Sequence, residues 1–151
     1  MSNIKMLSFK LHDEKAVVPS LGTPYSSGYD LTLISIDKKF TDNVTLYDTG
    51  VSVEPPTGYY TEIYARSSLS KSGHMIANSV GIIDSDYRGT LKVALWKDPS
   101  APELELPFKG CQLIIRKRER MLTEVVRELS TTSRGDGGFG STDLNDLHGI
   151  R

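Results

Sequence analysis

The sequence predicts an all-β fold, a jelly-roll-like sandwich or barrel with at most one short helix and a flexible glycine-rich C-terminal lid. Three observations predict it: short apolar runs of strand length recur along the chain, clusters of Pro, Gly, Asp and Ser separate them, and no helical pattern alternates with them. The runs are 4–11, 29–36, 44–47, 51–54, 59–65, 75–83, 90–96 and 111–116, rich in β-branched and aromatic residues. Turn signals such as Pro55-Pro56-Thr57-Gly58 and Lys97-Asp98-Pro99-Ser100-Ala101-Pro102 stand between them. Residues 67–72 suit one short helical turn. In 121–129, Met121, Leu122, Val125, Val126 and Leu129 fit a helix face as well as a strand, and we read a strand there.

At 151 residues the chain is long enough to bury one core without staples. With 18 basic and 19 acidic side chains the net charge is −1, so no global field recruits nucleic acid or an anionic membrane, and any binding to phosphate must be local. A single cysteine, Cys111, excludes an intrachain disulfide framework, and His12, His74 and His148 are too scattered for a zinc site. There is no apolar leader and no run of membrane-spanning length, so we expect a soluble cytoplasmic or other intracellular protein without a secretion signal. Residues 1–133 are expected to form the jelly-roll domain and 134–151 a glycine-rich arm and tail.

The arm carries Arg134-Gly135-Asp136-Gly137-Gly138-Phe139-Gly140-Ser141-Thr142. Glycines this dense pack no core, but they let successive backbone N–H groups turn inward around an anion, with an arginine and two hydroxyls to complete a phosphate clamp. Phe139 within it suggests a ligand with a flat base as well as phosphates, that is, a nucleotide. A disordered tail and a single unit of an RNA-binding glycine-arginine repeat are the competing readings.

A second segment, Gly81-Ile82-Ile83-Asp84-Ser85-Asp86-Tyr87-Arg88-Gly89, reads as a β-hairpin with carboxylates near its tip. Asp84 and Asp86 there can satisfy turn amides, hold a divalent metal as a pair, or supply a general base beside a phosphate. Ala65-Arg66-Ser67-Ser68-Leu69 sets a guanidinium and two hydroxyls together, a phosphate contact or an ordinary polar turn. The run Arg116-Lys117-Arg118-Glu119-Arg120 is short and contains an acid, and reads as a solvated strand end.

Taken in order, Ser27-Gly28-Tyr29-Asp30-Leu31, Arg66-Ser67-Ser68-Leu69, the 81–89 segment, Gly110-Cys111-Gln112-Leu113-Ile114 and the 134–142 segment resemble the five motifs of the trimeric deoxyuridine triphosphatases, the dUTPases. The chain departs from that pattern at Ala65, where proline is frequent, at Ser27, where alanine is usual, at Asp143, where glycine is common, and through Phe108-Lys109-Gly110-Cys111-Gln112. The resemblance implies a homotrimer of the dUTPase fold that hydrolyses dUTP to dUMP and pyrophosphate with Mg²⁺ on the triphosphate. Such an enzyme keeps uracil out of DNA and supplies dUMP for thymidylate synthesis.

By the same resemblance Asp84 is the general base for the water that attacks the α-phosphorus, and Asp30 and Gln112 hold waters of the metal, which no side chain ligates directly. Backbone groups along 78–88, including those of Gly81 and Ile83, with the Asn78 amide, would read uracil. Tyr87 would lie against the deoxyribose and leave no room for a 2′-hydroxyl. Arg66, Ser67 and Ser68 belong to the contact with the central phosphates. Arg134, Gly140, Ser141 and Thr142 would close on the γ-phosphate while Phe139 stacks on the base. Two alternatives share the fold. A dCTP deaminase needs a glutamate at the position occupied here by Ala94, and an idle nucleotide-sensing regulatory protein would be expected to have lost the aspartate or the clamp.

Overall fold

The computed structural model describes residues 4–141, and the chain divides into two units, Met1–Glu119 and Arg120–Arg151. The first unit holds β1 (Ser8–Leu11), β2 (Ser20–Leu21), β3 (Tyr29–Leu33), β4 (Ser35–Thr41), β5 (Val44–Asp48), β6 (Val51–Glu54), β7 (Tyr59–Ala65), α1 (Ser67–Lys71), β8 (His74–Ile76), β9 (Gly81–Ile83), β10 (Lys92–Lys97) and β11 (Phe108–Lys117).

The longest strand, β11, pairs antiparallel with β7 from Cys111↔Ala65 to Lys117↔Tyr59 and with β3 on its other side. It is the middle of a five-stranded sheet ordered β2-β3-β11-β7-β9. A four-stranded sheet ordered β4-β5-β10-β8 and a β1-β6 pair complete the architecture. Alternate residues point inward: Leu31, Leu33 and Leu113 from the first sheet meet Tyr47, Val93 and Leu95 from the second and Val53 from the pair in one buried cluster. Each such buried side chain contributes about 1.5–3 kcal/mol of burial free energy. The result is the antiparallel β-sandwich expected of a jelly roll.

Helix α1 is held by Leu69, fully buried, and stops at Gly73, whose φ of +75° only glycine adopts without strain. It occupies the 67–72 segment, as expected.

The structure corrects three expectations. The run 75–83 is two strands in different sheets, β8 and β9, divided at Ser79, whose φ is +66°. The segment 81–89 is not a hairpin: β9 pairs with β7, the following strand β10 pairs with β5 and β8, and the intervening residues carry the chain from one sheet to the other. Residues 121–129 form neither strand nor helix. An alternating apolar segment needs a ladder partner and a core, and here Leu122 and Val125 are fully exposed. The first unit ends at Glu119, shortly after the ladder of β11 stops at Lys117.

Candidate functional site

The candidate residues fall into three groups, two in the first unit and one in the second. The first lies where β3, β11 and β7 run side by side. Asp30 and Gln112 are register partners, and Gln112 in turn faces Tyr64. The ladder thus brings together residues far apart in the chain. Arg66, just beyond β7, gives its Nε to Asp30 Oδ1 at 2.9 Å and its Nη1 to the Lys109 carbonyl at 2.7 Å. Ser68 Oγ donates to that same carbonyl at 3.0 Å, so both side chains are seated on β11 three residues before Gln112. Ser67 is exposed at the first position of α1.

Gln112 is oriented by its Nε2, which donates to the Ala65 carbonyl at 3.1 Å. Its Oε1 turns toward Gly28, where an added Cβ would approach to 2.5 Å. A side chain at 28 would displace the Gln112 amide, which gives the glycine of the Ser-Gly-Tyr-Asp-Leu segment a physical reason. Asp30 Oδ2 lies on the side of Gly22, 3.8 Å from where a Cβ would stand there.

The second group surrounds Asp84, the first residue after β9. Its carboxylate is exposed at the border of two cavities. One, of about 700 Å³, is lined by Tyr60, Ile82, Asp84, Ser85, Asp86 and Arg118. The other, of about 170 Å³, is lined by Ile82, Ile83, Asp84, Tyr87 and Lys92. The Tyr87 amide donates to the Asp84 carbonyl at 3.0 Å, closing a tight turn, and the Tyr87 hydroxyl donates to the Thr90 carbonyl at 2.9 Å. The ring covers Gly89, which has no space for a Cβ.

On the other side of β9, Gly81 backs onto its register partner Ile63, whose Cβ would lie 3.2 Å from a Cβ at 81. Ile83 is half-buried opposite Thr61, and Asn78 is exposed in the turn between β8 and β9. Among the described residues no group of three or more His, Cys, Asp or Glu side chains is placed to hold a metal.

The third group is in the second unit. Its glycine-rich segment folds on itself: the Gly137 amide donates to the Arg134 carbonyl at 3.2 Å, while Arg134 Nε donates to the Gly137 carbonyl at 2.8 Å. The Ser141 amide donates to Gly138 at 3.3 Å. Phe139 is fully exposed with a φ of +52°, an uncommon value for a side chain of its size, and Gly135 and Gly140 are also left-handed. Thr142 lies outside the described residues.

Sequence reasoning missed Arg118, Tyr60 and Lys92 beside Asp84. The register Arg116↔Tyr60, with β9 on the far side of β7, brings Arg118 to that cavity, and its amide donates to the Gly58 carbonyl at 2.8 Å. Its neighbour Arg116 is spent on the buried Glu62 at 2.7 Å, so the basic run is not uniformly solvated. Cys111, fully buried on β11, has its thiol pushed up to about 12 by desolvation and is chemically inert.

A family model described as dUTPase matches residues 14–143. A deoxyuridine 5′-triphosphate nucleotidohydrolase of Arabidopsis thaliana is 41% identical over 132 residues, which span 87% of this chain and 79% of that protein. Among solved structures, a mutant Staphylococcus bacteriophage 80alpha dUTPase with dUpNHpp has a TM-score of 0.76 at 22% identity, covering 90% of this chain and 97% of its own. A dUTPase from phage phi11 of S. aureus, described with a structural Mg(II) ion, has a TM-score of 0.70 at 21% identity, covering 83% of this chain and 99% of its own. At those identities the two structures speak to the fold. The family model and the plant relative, each spanning most of the sequence, carry the assignment: the chain belongs to the dUTPase family.

Proposed function

We propose that the protein hydrolyses dUTP to dUMP and pyrophosphate with Mg²⁺, and that Asp84 is its general base. The observation that carries the reading is the position of Asp84 within its family motif: an exposed carboxylate on an anchored turn, bordering open space, with a cationic side chain nearby. An ionised carboxylate so placed takes the proton from a water as its oxygen bonds to the α-phosphorus. The bond from the α-phosphorus to the bridging oxygen breaks, and pyrophosphate departs with the electron pair.

Asp30 Oδ2 and Gln112 Oε1 are uncharged or anionic oxygen acceptors on adjacent strands, one beside a glycine and the other over one. They fit hydrogen bonds from metal-bound waters better than direct ligation. When bound, Mg²⁺ neutralises triphosphate charge and favours pyrophosphate as a leaving group. Ser67, Ser68 and Arg66 would contact the phosphates; Gly81, Ile83 and Asn78 would read the base edge; Tyr87 would exclude ribose. Arg134, Gly140, Ser141 and Thr142, with Phe139 on the base, would cover the ligand. Ala94 on β10 offers a methyl where a deaminase requires a proton carrier.

The site is inferred to be shared in a homotrimer. Ile83 pairs with Thr61 near the start of β7, whereas Arg66 follows its end, so Asp84 and Arg66 are separated by roughly 20 Å of strand at about 3.3 Å per residue. One chain does not set them against the same phosphate. The exposed apolar side chains of 121–129 also call for cover that a second copy can supply. The physiological role that follows is removal of dUTP before it enters DNA and supply of dUMP. The test is to incubate the protein and Mg²⁺ with each deoxynucleoside triphosphate, following pyrophosphate release and base deamination separately. Pyrophosphate from dUTP without deamination is expected, and deamination or no turnover would overturn the assignment.

A further inference from the structure

The turn that bears Asp84 is tied to β6 by side chains outside the five motifs. Ser52, buried on β6, donates its Oγ–H to the Arg88 carbonyl at 2.9 Å. The same oxygen lies 2.8 Å from His12 Nε2. A serine hydroxyl has one proton and a carbonyl can only accept, so the Ser52 proton goes to Arg88 and His12 Nε2 must donate. The order of the chain is therefore determined: His12 Nε2–H to Ser52 Oγ, and Ser52 Oγ–H to the Arg88 carbonyl. Both neutral His12 with its proton on Nε2 and charged His12 sustain it.

From Arg88 the restraint passes back to the turn. Arg88 Nη1 donates to the Ser85 carbonyl at 2.8 Å and to the Tyr87 carbonyl at 3.1 Å, while Nη2 meets Glu54 Oε1 at 3.2 Å. The chain leaving the turn is held by the Leu91 amide on the Val51 carbonyl at 2.7 Å. The pair with Glu54 is largely exposed and contributes little. The Ser52 bond is part-buried, with the serine itself buried, and its removal leaves the Arg88 carbonyl without that donor.

We propose that Ser52, oriented by His12, is a positioning residue that sets the place of Asp84 and Tyr87 by clamping the Arg88 carbonyl. The inference rests on dUTP hydrolysis being the activity, because a base displaced by even about 1 Å from its water loses much of its rate. It acts on turnover more than on affinity, since Ser52 touches neither base nor phosphate.

The experiment compares wild type, Ser52→Ala and Ser52→Thr by dUTP kinetics, thermal midpoint, and hydrogen exchange of the Tyr87 amide, which reports closure of the turn. Ser52→Ala should lower kcat by roughly tenfold with KM within about twofold, and speed Tyr87 exchange by roughly tenfold; Ser52→Thr, which retains the hydroxyl, should restore both. Wild-type kcat in Ser52→Ala, unchanged Tyr87 exchange, or failure of threonine to rescue would overturn the clamp. If the wild type itself leaves dUTP intact, the proposed activity fails, and Tyr87 exchange in the same variants still decides whether Ser52 holds the turn.

Discussion

Asp84 and Arg66 stand at opposite ends of β7: Asp84 follows the Ile83↔Thr61 pair near its beginning, and Arg66 follows the Ala65↔Cys111 pair at its end. The proposed sharing of sites between subunits can be tested by complementation. Chains carrying Asp84→Asn are co-refolded with chains ending at Ser133, each expected to be inactive alone. If base and arm come from different subunits, random trimers should regain an intact pair at about a quarter of sites. Activity no higher than that of the separate variants, with mixed trimers verified by mass, would sink the shared site.

Asp84→Asn by itself keeps the volume and polarity of the side chain but removes the proton acceptor. Turnover of dUTP should fall by roughly 10²–10⁴ while binding of dUTP persists. Steady-state kinetics with calorimetric binding separate the two quantities. Near wild-type kcat would remove Asp84 from the mechanism.

Ending the chain at Ser133 should leave a folded protein, because the first unit closes at Glu119 and its core draws on no residue of the glycine-rich segment. Catalysis should collapse with the loss of charge-assisted contacts worth roughly 1.5–3 kcal/mol each. Circular dichroism and a pyrophosphate assay on one preparation distinguish the outcomes. Full activity would make the glycine-rich segment a mere linker.

Burial holds the Cys111 thiol protonated up to about pH 12, against an ordinary value of 9.0. The native protein should therefore resist thiol reagents at neutral pH and react upon unfolding. Between pH 9.0 and about 12 the unfolded chain loses this proton while the folded one retains it, so Cys111 contributes stability that declines as pH rises through that window. The slope is about 1.4 kcal/mol per pH unit. Denaturation of wild type and Cys111→Ala across the window tests it: the stability gap between them should narrow with rising pH, and a constant gap would contradict the assignment.

Local chemistry was enough to mark several elements. Residues 51–54 and 59–65 are apolar, β-branched or aromatic stretches bounded by Gly and Pro, and β6 and β7 occupy those positions. Strand β4 escaped notice because all seven of its residues are exposed at a sheet edge, where no burial imposes alternation on Asp37, Lys38 and Lys39. The same limit explains 81–89. Its turn residues were legible, but whether flanking strands pair with each other depends on competing edges elsewhere, and β7 on one side and β5 on the other took them.

By itself the sequence determined the all-β class, the family motifs and hence the residue types available for chemistry, since spacing, turn residues and glycines are local properties. The tertiary structure alone decided which of those residues meet. Register across β3, β11 and β7 seats Arg66 on Asp30 and turns Gln112 toward Gly28. The same long-range pairing brings Arg118 to the cavity beside Asp84, and β6 brings Ser52 to the Arg88 carbonyl. These are contacts between residues tens of positions apart, created by burial of a common core, and no local pattern encodes them.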